Sequence, residues 1–292
     1  MTMAAITILV AKLSIVGIVF ALGLRSKPED ITTLLARPGV LVRAFFAINL
    51  VMPAFAILAV KLLPLRTEVA VALIALSLSP VPPLLPRKTA NAEGDRSFAV
   101  GLLVVFAVLS IVWVPAAVHL VGLIFAHPLG MSPTRIAWIV ATLIVLPLAL
   151  GILVRRLAAD FAQRIEPIVA LAALIVLGLV AVLILAGSAK GIIAQIGDGT
   201  IALMAAFVIV GLAAGHLLGG PDPRERTDLA LAAASRHPGI ALATAQIAFP
   251  DVKAVTALVA LYLIVGGLFA LPYIKWRART IPGAAGDVAP PG

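Results

Sequence analysis

Four basic or ionisable side chains lie within apolar segments that are long enough to span a membrane. Arg87 and Lys88 directly follow a proline-rich run, residues 80–86, and Arg236 and His237 directly precede another proline. A cation at membrane depth costs about 2.5–3.5 kcal/mol on insertion scales. Several such residues are therefore retained only where another part of the molecule compensates for their charge.

Two compensations are open, and they lead to different chemistry. In the first, a guanidinium or ammonium group binds the carbonyl ends of half-helices that finish at Ser79 and Ser235. In the second, half-helices that open at Pro86 and Pro238 point free N–H groups at a ligand anion, and the basic side chains bind its carboxylate or sulfate. The second predicts a substrate site formed by Asn49, Arg87, Lys88, Thr89, Asn91, Arg236 and His237.

His237 has two interpretations of its own. An imidazole titrates near neutral pH, so His237 could exchange a proton during transport. Alternatively it caps a helix and is held neutral by the neighbouring Arg236. We expect no metal ligands and no bound cofactor, with a proton as the candidate coupling ion.

The composition indicates that these residues are positioned by membrane helices. Of the 292 residues, 62% are hydrophobic and 12% are charged, and the mean hydropathy is +1.17. No soluble globular domain of this size combines such values. The net charge of +9 is scattered through short loops, which argues against nucleic acid as a partner and predicts the lipid bilayer instead. The absence of cysteine excludes disulfides and thiolate chemistry.

Apolar runs predict nine transmembrane helices in one all-α domain over residues 1–280. The remaining segment, 281–292, is rich in Pro, Gly and Ala and is predicted to be a disordered cytoplasmic tail. The predicted spans are 4–24, 38–64, 67–92, 95–125, 134–155, 165–187, 200–220, 227–249 and 252–274.

The lysine and arginine residues predict the orientation. Twelve of them gather on one side of the predicted spans and five on the other. The richer side should be cytoplasmic, which places the N-terminus outside and the C-terminus inside, in an inner or plasma membrane. Its members are Arg25, Lys27, Arg37, Arg96, Arg155, Arg156, Arg164, Arg224, Arg226, Lys275, Arg277 and Arg279.

Two of the nine spans, 67–92 and 227–249, are interrupted. The first contains four prolines in seven residues, and the second contains the sequence Arg-His-Pro-Gly at its centre. Proline removes a helical N–H and disfavours helix at the preceding residue. Two broken segments five spans apart predict an inverted-repeat secondary transporter whose site lies where the broken helices cross. The alternative is that the prolines only kink two ordinary spans.

The acidic residues do not predict catalysis. Glu68, Glu93, Asp95, Asp228 and Asp251 lie near the ends of predicted spans, where carboxylates are usually hydrated. No pair of carboxylates lies deep in a span to act as acid and base. We therefore expect a protein that is not an enzyme.

The chain resembles the bile acid:sodium symporter family over residues 12–275. The resemblance rests on Leu22-Gly-Leu-Arg-Ser-Lys-Pro-Glu-Asp30, Arg37-Pro38, Val51-Met-Pro53, Leu146-Pro-Leu-Ala-Leu-Gly-Ile-Leu-Val-Arg155 and the two broken spans. It implies a panel domain and a core domain, the core with two crossing helices, sodium sites and a path for an organic anion.

At the positions where the family supplies sodium ligands, this chain departs from the pattern. Leu and Pro residues replace the expected Ser and Asn of the first crossing, and Ala232, Arg236 and His237 replace the Glu, Gln and Asn of the second. Sodium prefers oxygen ligands. The resemblance together with these replacements predicts weak or absent sodium dependence.

These patterns predict a secondary transporter of an organic anion, bile-acid-like or another carboxylate or sulfate. It would work by alternating access, with proton coupling, exchange or facilitated diffusion. An alternative is a membrane receptor or interaction protein on the same scaffold that binds an anion without moving it.

Overall fold

The described residues are helical throughout. The structure, a computed structural model, describes residues 3–125, 133–249, 252 and 254–281, so nearly all of the predicted tail lies outside the described residues. Within them the chain forms fourteen α-helices and two π-helical segments and no strand. The α-helices are α1 Met3–Arg25, α2 Pro28–Leu35, α3 Pro38–Phe45, α4 Met52–Leu62, α5 Thr67–Leu78, α6 Leu85–Ala90, α7 Arg96–Ile124, α8 Pro133–Val140, α9 Leu146–Leu157, α10 Ala159–Ala194, α11 Thr200–Leu218, α12 Pro223–Ala234, α13 Pro238–Ala248 and α14 Val255–Thr280, and the π-helical segments are Phe46–Val51 and Ala141–Val145.

Six of the described helices are long and apolar enough to cross a membrane, and the chain is an integral membrane protein. A bent pair, Leu9–Arg25 with Glu29–Leu35 at 85°, raises the number to seven if it counts as one span. The six are Pro38–Leu62, Arg96–Ile124, Ala137–Leu157, Ala159–Leu183, Thr200–Leu218 and Val255–Thr280.

The difference from the predicted nine spans has a physical reason. The predicted span 67–92 contains helices of 12 and 6 residues, and the predicted span 227–249 covers most of a 12-residue helix, α12, and all of an 11-residue helix, α13. Each is shorter than the roughly 20 residues that cross a bilayer. Interrupted segments of this kind do not count as single spanning helices.

The broken segments lie against several of the long helices. α1 lies against α9 and α10, while α11 lies against α12 and α14. α13 packs against both α5 and α14, and α12 contacts α6. Each broken segment is therefore held by helices from the rest of the chain and by the other broken segment.

A close backbone approach joins α11 to α12 at Gly215. A Cβ added to Gly215 would lie 2.3 Å from the carbonyl oxygen of Leu229 and 2.4 Å from the Cα of Ala230. Glycine-rich helix faces let membrane helices approach in this way. Because the neighbour is backbone rather than a flexible side chain, it has little freedom to move aside.

We expect Gly215→Ala to destabilise the protein because it forces α11 away from α12. Overpacking of a tight interior typically costs about 1–3 kcal/mol. The melting temperature in detergent should fall clearly, whereas Gly178→Ala in α10, where an added Cβ meets no described atom within 4 Å, should leave it unchanged. Equal melting temperatures for the two variants would contradict this account of the contact.

Candidate functional site

The two broken segments meet at their breaks. α5 ends at Leu78 and α12 ends at Ala234, and the residues that follow each helix are extended. α6 and α13 then begin with a proline in their first turn, where the missing N–H needs no helical partner. The backbone N–H of His237 donates to the carbonyl of Pro80 at 3.0 Å. One hydrogen bond thus ties the second break to the first.

Arg236 fills the space between the breaks. Its side chain is only 2% exposed and its guanidinium donates to three backbone carbonyls. Nη1 donates to the Ser79 carbonyl at 3.2 Å, and Nη2 donates to the Ile48 carbonyl at 2.8 Å and the Ala233 carbonyl at 3.1 Å. Ser79 and Ala233 lie at the ends of α5 and α12, where the helix dipoles are negative. The guanidinium is therefore a fixed cation held by carbonyl oxygens.

The carbonyl of Ile48 is free to accept a hydrogen bond from Arg236 because a proline follows it in the second predicted span. Pro53 has no N–H, so carbonyls four and five residues earlier, including that of Ile48, cannot pair with it. Asn49 lies in the same π-helical segment and is buried. It lines a small pocket together with Ser110 and Trp113.

His237 is a helix cap. Its Nδ1 accepts the backbone N–H of Ile240 at 3.3 Å, in the first turn of α13. The side chain is 2% exposed, and its Nε2 atom has no hydrogen-bond partner among the described residues. The imidazole therefore faces the protein interior rather than an open cavity.

A cavity of about 340 Å³ lies next to the first break, between α1, α6 and α10. Its charged lining consists of Arg25, Arg87, Arg96 and Glu166. Arg25 is 3.8 Å from Glu166, so one carboxylate offsets part of the charge of three guanidinium groups. An excess of positive charge in a partly apolar cavity favours an anionic ligand.

A model of the sodium bile acid symporter family matches residues 12–195, which is more than half of the chain. The chain belongs to this family. Its members are transporters, so the family and the apolar helices together make the chain a membrane transporter. No curated protein sequence matches the chain. The match includes most of α1, the first break and all of α10, which form the cavity, whereas Arg236 lies beyond it.

The other predicted site residues of this symporter-family protein lie around α6. Lys88 is half-buried, and its Nζ donates to the Ser235 hydroxyl at 3.1 Å, which adds a second tie between the broken segments. Thr89 is fully buried, and its hydroxyl donates to the Pro86 carbonyl at 3.1 Å. Asn91 is exposed at the end of α6. Arg87 is the predicted residue that the structure brings to the cavity.

Asp228 was expected to be hydrated, and this expectation is wrong. The side chain is 0% exposed, because α12 packs tightly between other helices of the transporter. Its Oδ2 accepts the backbone N–H of Asp95 at 2.8 Å, just before α7. The sequence signal that could have revealed the burial is the alanine-rich run that follows, Leu229 to Ala234, because alanine permits close helix packing.

The first turn of α12 is tied to two further elements. Arg37, between α2 and α3, forms a bidentate ion pair with Glu225, in which Nη2 lies 2.8 Å from Oε2. These hydrogen bonds raise the pKa of Arg37, so its guanidinium stays charged at neutral pH. Arg277 of α14 donates to the Thr227 hydroxyl at 2.8 Å and the Pro223 carbonyl at 2.7 Å.

Proposed function

We propose that this family member is a secondary transporter of a small organic anion that carries a built-in cation in place of sodium. In this proposal nine spans, two of them interrupted, form an inverted repeat that moves the anion by alternating access. The N-terminus lies outside and the C-terminus in the cytoplasm of an inner or plasma membrane. The excess of lysine and arginine near Arg25 and Arg96 supports that orientation.

The observation that carries the proposal is the cavity with three arginines. Arg25, Arg87 and Arg96 come from three different helices and converge on one space. Planar guanidinium groups bind carboxylate and sulfate through paired, charge-assisted hydrogen bonds. The volume of about 340 Å³ lies at the lower end of the range for small-molecule sites. These properties support a carboxylate or sulfate substrate rather than a neutral one.

Sodium independence is supported by the surroundings of Arg236. Sodium in proteins is bound by oxygen atoms, and carbonyl oxygens at the ends of broken helices are typical ligands in secondary transporters. Here the carbonyls of Ser79 and Ala233 already bind a guanidinium. We therefore assign to Arg236 and His237 a structural role where the broken segments meet, and to Arg87 the binding of the substrate.

Uptake into liposomes that contain the purified protein tests this function. A panel of labelled carboxylates and sulfates should include at least one anion that accumulates, and neutral amides or esters of the same compounds should not. The anions should compete with one another for a single saturable path. Saturable binding without flux would contradict transport and favour the receptor alternative.

A further inference from the structure

Asp228 is a buried carboxyl group that the anion path does not use. Oδ2 accepts the Asp95 N–H, but Oδ1 is buried and has no hydrogen-bond partner among the described residues. None of the ion pairs in the described part of the chain includes Asp228. An ionised carboxylate costs several kcal/mol to bury without a cation or sufficient hydrogen bonds. A bound proton removes that cost.

The space between Oδ1 and Gly94 is too small for a further heavy atom. A Cβ added to Gly94 would lie 2.0 Å from Oδ1 and 3.1 Å from the Cβ of Thr89, so even one further carbon atom does not fit there. The Thr89 hydroxyl donates its hydrogen to Pro86, which leaves the lone pairs of its oxygen available. A protonated Oδ1 therefore has an acceptor nearby.

The surrounding basic groups are engaged elsewhere and do not neutralise Asp228. The titratable or charged groups on α12 and on the elements packed against it that matter here are Lys88, Asp95, His216, Glu225, Tyr273 and Arg277. Lys88 binds Ser235, Arg277 binds Thr227 and Pro223, and His216 pairs with Tyr273 at 2.9 Å. Asp95 and Glu225 add negative charge near Asp228 and supply no compensating cation.

We propose that Asp228 is the proton-binding site that couples a pH gradient to anion movement, an inference that rests on the proposed function. One proton from water adds to Oδ1 while the anion occupies the cavity, the two cross together, and the proton returns to water on the other side. The charge-assisted bond from the Asp95 N–H weakens on protonation. Protonation of Asp228 thus weakens the attachment of α12 to the turn between α6 and α7. These two helices carry Arg87 and Arg96, which line the cavity.

The test is Asp228→Asn, which resembles the protonated side chain and cannot release a proton. Accumulation of the anion driven by an inward pH gradient should be lost, whereas exchange of labelled for unlabelled anion should persist. Asp160→Asn, at an exposed carboxylate of α10, is the matched control and should behave as wild type in both assays. Accumulation by Asp228→Asn that still follows the pH gradient would overturn the proposal.

Infrared spectroscopy of the purified protein separates this proposal from the transport function. A carboxylic acid C=O stretch that titrates in wild type and in Asp160→Asn but is missing in Asp228→Asn supports the site, even if no anion is transported. Spectra without that difference overturn it, even if uptake depends on pH. If Asp228→Asn does not fold, Thr89→Val serves instead: it should shift the pH at which the band titrates, and an unmoved band overturns the proposal.

Discussion

Replacing Arg236 with alanine should abolish anion uptake in sodium-free medium, and added small cations should restore part of it. The substitution leaves the carbonyls of Ile48, Ser79 and Ala233 without a donor in a buried space. A buried polar group that loses its partner costs about 1–3 kcal/mol. Removing the buried guanidinium offsets part of this cost, because its own desolvation is also removed.

Uptake measured in choline, sodium and guanidinium buffers distinguishes a missing cation from a general loss of folding. Activity in choline should fall by at least about tenfold, which corresponds to the loss of roughly 1.4 kcal/mol. Sodium or guanidinium should raise it, because each can enter the vacated space between the carbonyls. Arg236→Lys should retain part of the activity, since one ammonium group donates from a single point. Wild-type uptake by Arg236→Ala in choline would contradict the role of this residue.

Replacing Arg87 with alanine should weaken anion binding with little effect on stability. Arg87 is exposed to the cavity, and no described hydrogen bond or ion pair of the fold depends on its side chain. A hydrogen bond to a charged group contributes about 1.5–3 kcal/mol, so KM for uptake should rise roughly ten- to 150-fold. The measurement is the concentration dependence of anion uptake, together with the melting temperature in detergent.

The matched control for Arg87 is Arg164→Ala. Arg164 is an exposed arginine on α10, two residues before Glu166, and it does not line the cavity. Arg164→Ala removes the same charge at a position outside the cavity. An equal rise in KM for both variants would show that the effect is one of overall charge, and would refute the assignment of Arg87 to the substrate.

The sequence predicted the class of fold and the two breaks because their signals are local. Hydropathy alone indicates membrane helices, and the prolines around Pro82 and Pro238 prevent a continuous helix wherever they lie. The direction of Arg236 was left open between the helix carbonyls and a ligand anion. A residue at a break can face either way, and only the packing of α5 against α13 places the Ser79 carbonyl within its reach.

The arginine cavity and the burial of Asp228 were not predicted from the sequence, for a different reason. Arg25 and Arg96 lie at the ends of two separate predicted spans and were counted only as signs of orientation. Their convergence with Arg87 depends on how α1 and α10 lie beside α6. Similarly, Asp228 looks like an ordinary residue near a helix start, and its burial follows from long-range contacts with α6, α7 and α11. The alanine-rich run after Asp228 indicates close helix packing, but one sequence does not show which helices make the contacts.

The central claim is that Arg236 supplies the cation that the crossing needs, and replacing sodium with choline tests it most directly. Initial rates of anion uptake by the wild-type protein in liposomes should be the same in the two media, at every anion concentration. Dissipating a pH gradient should then be the change that lowers accumulation. Uptake that collapses in choline and recovers with added sodium would show that the ion binds despite the guanidinium, and would contradict the account.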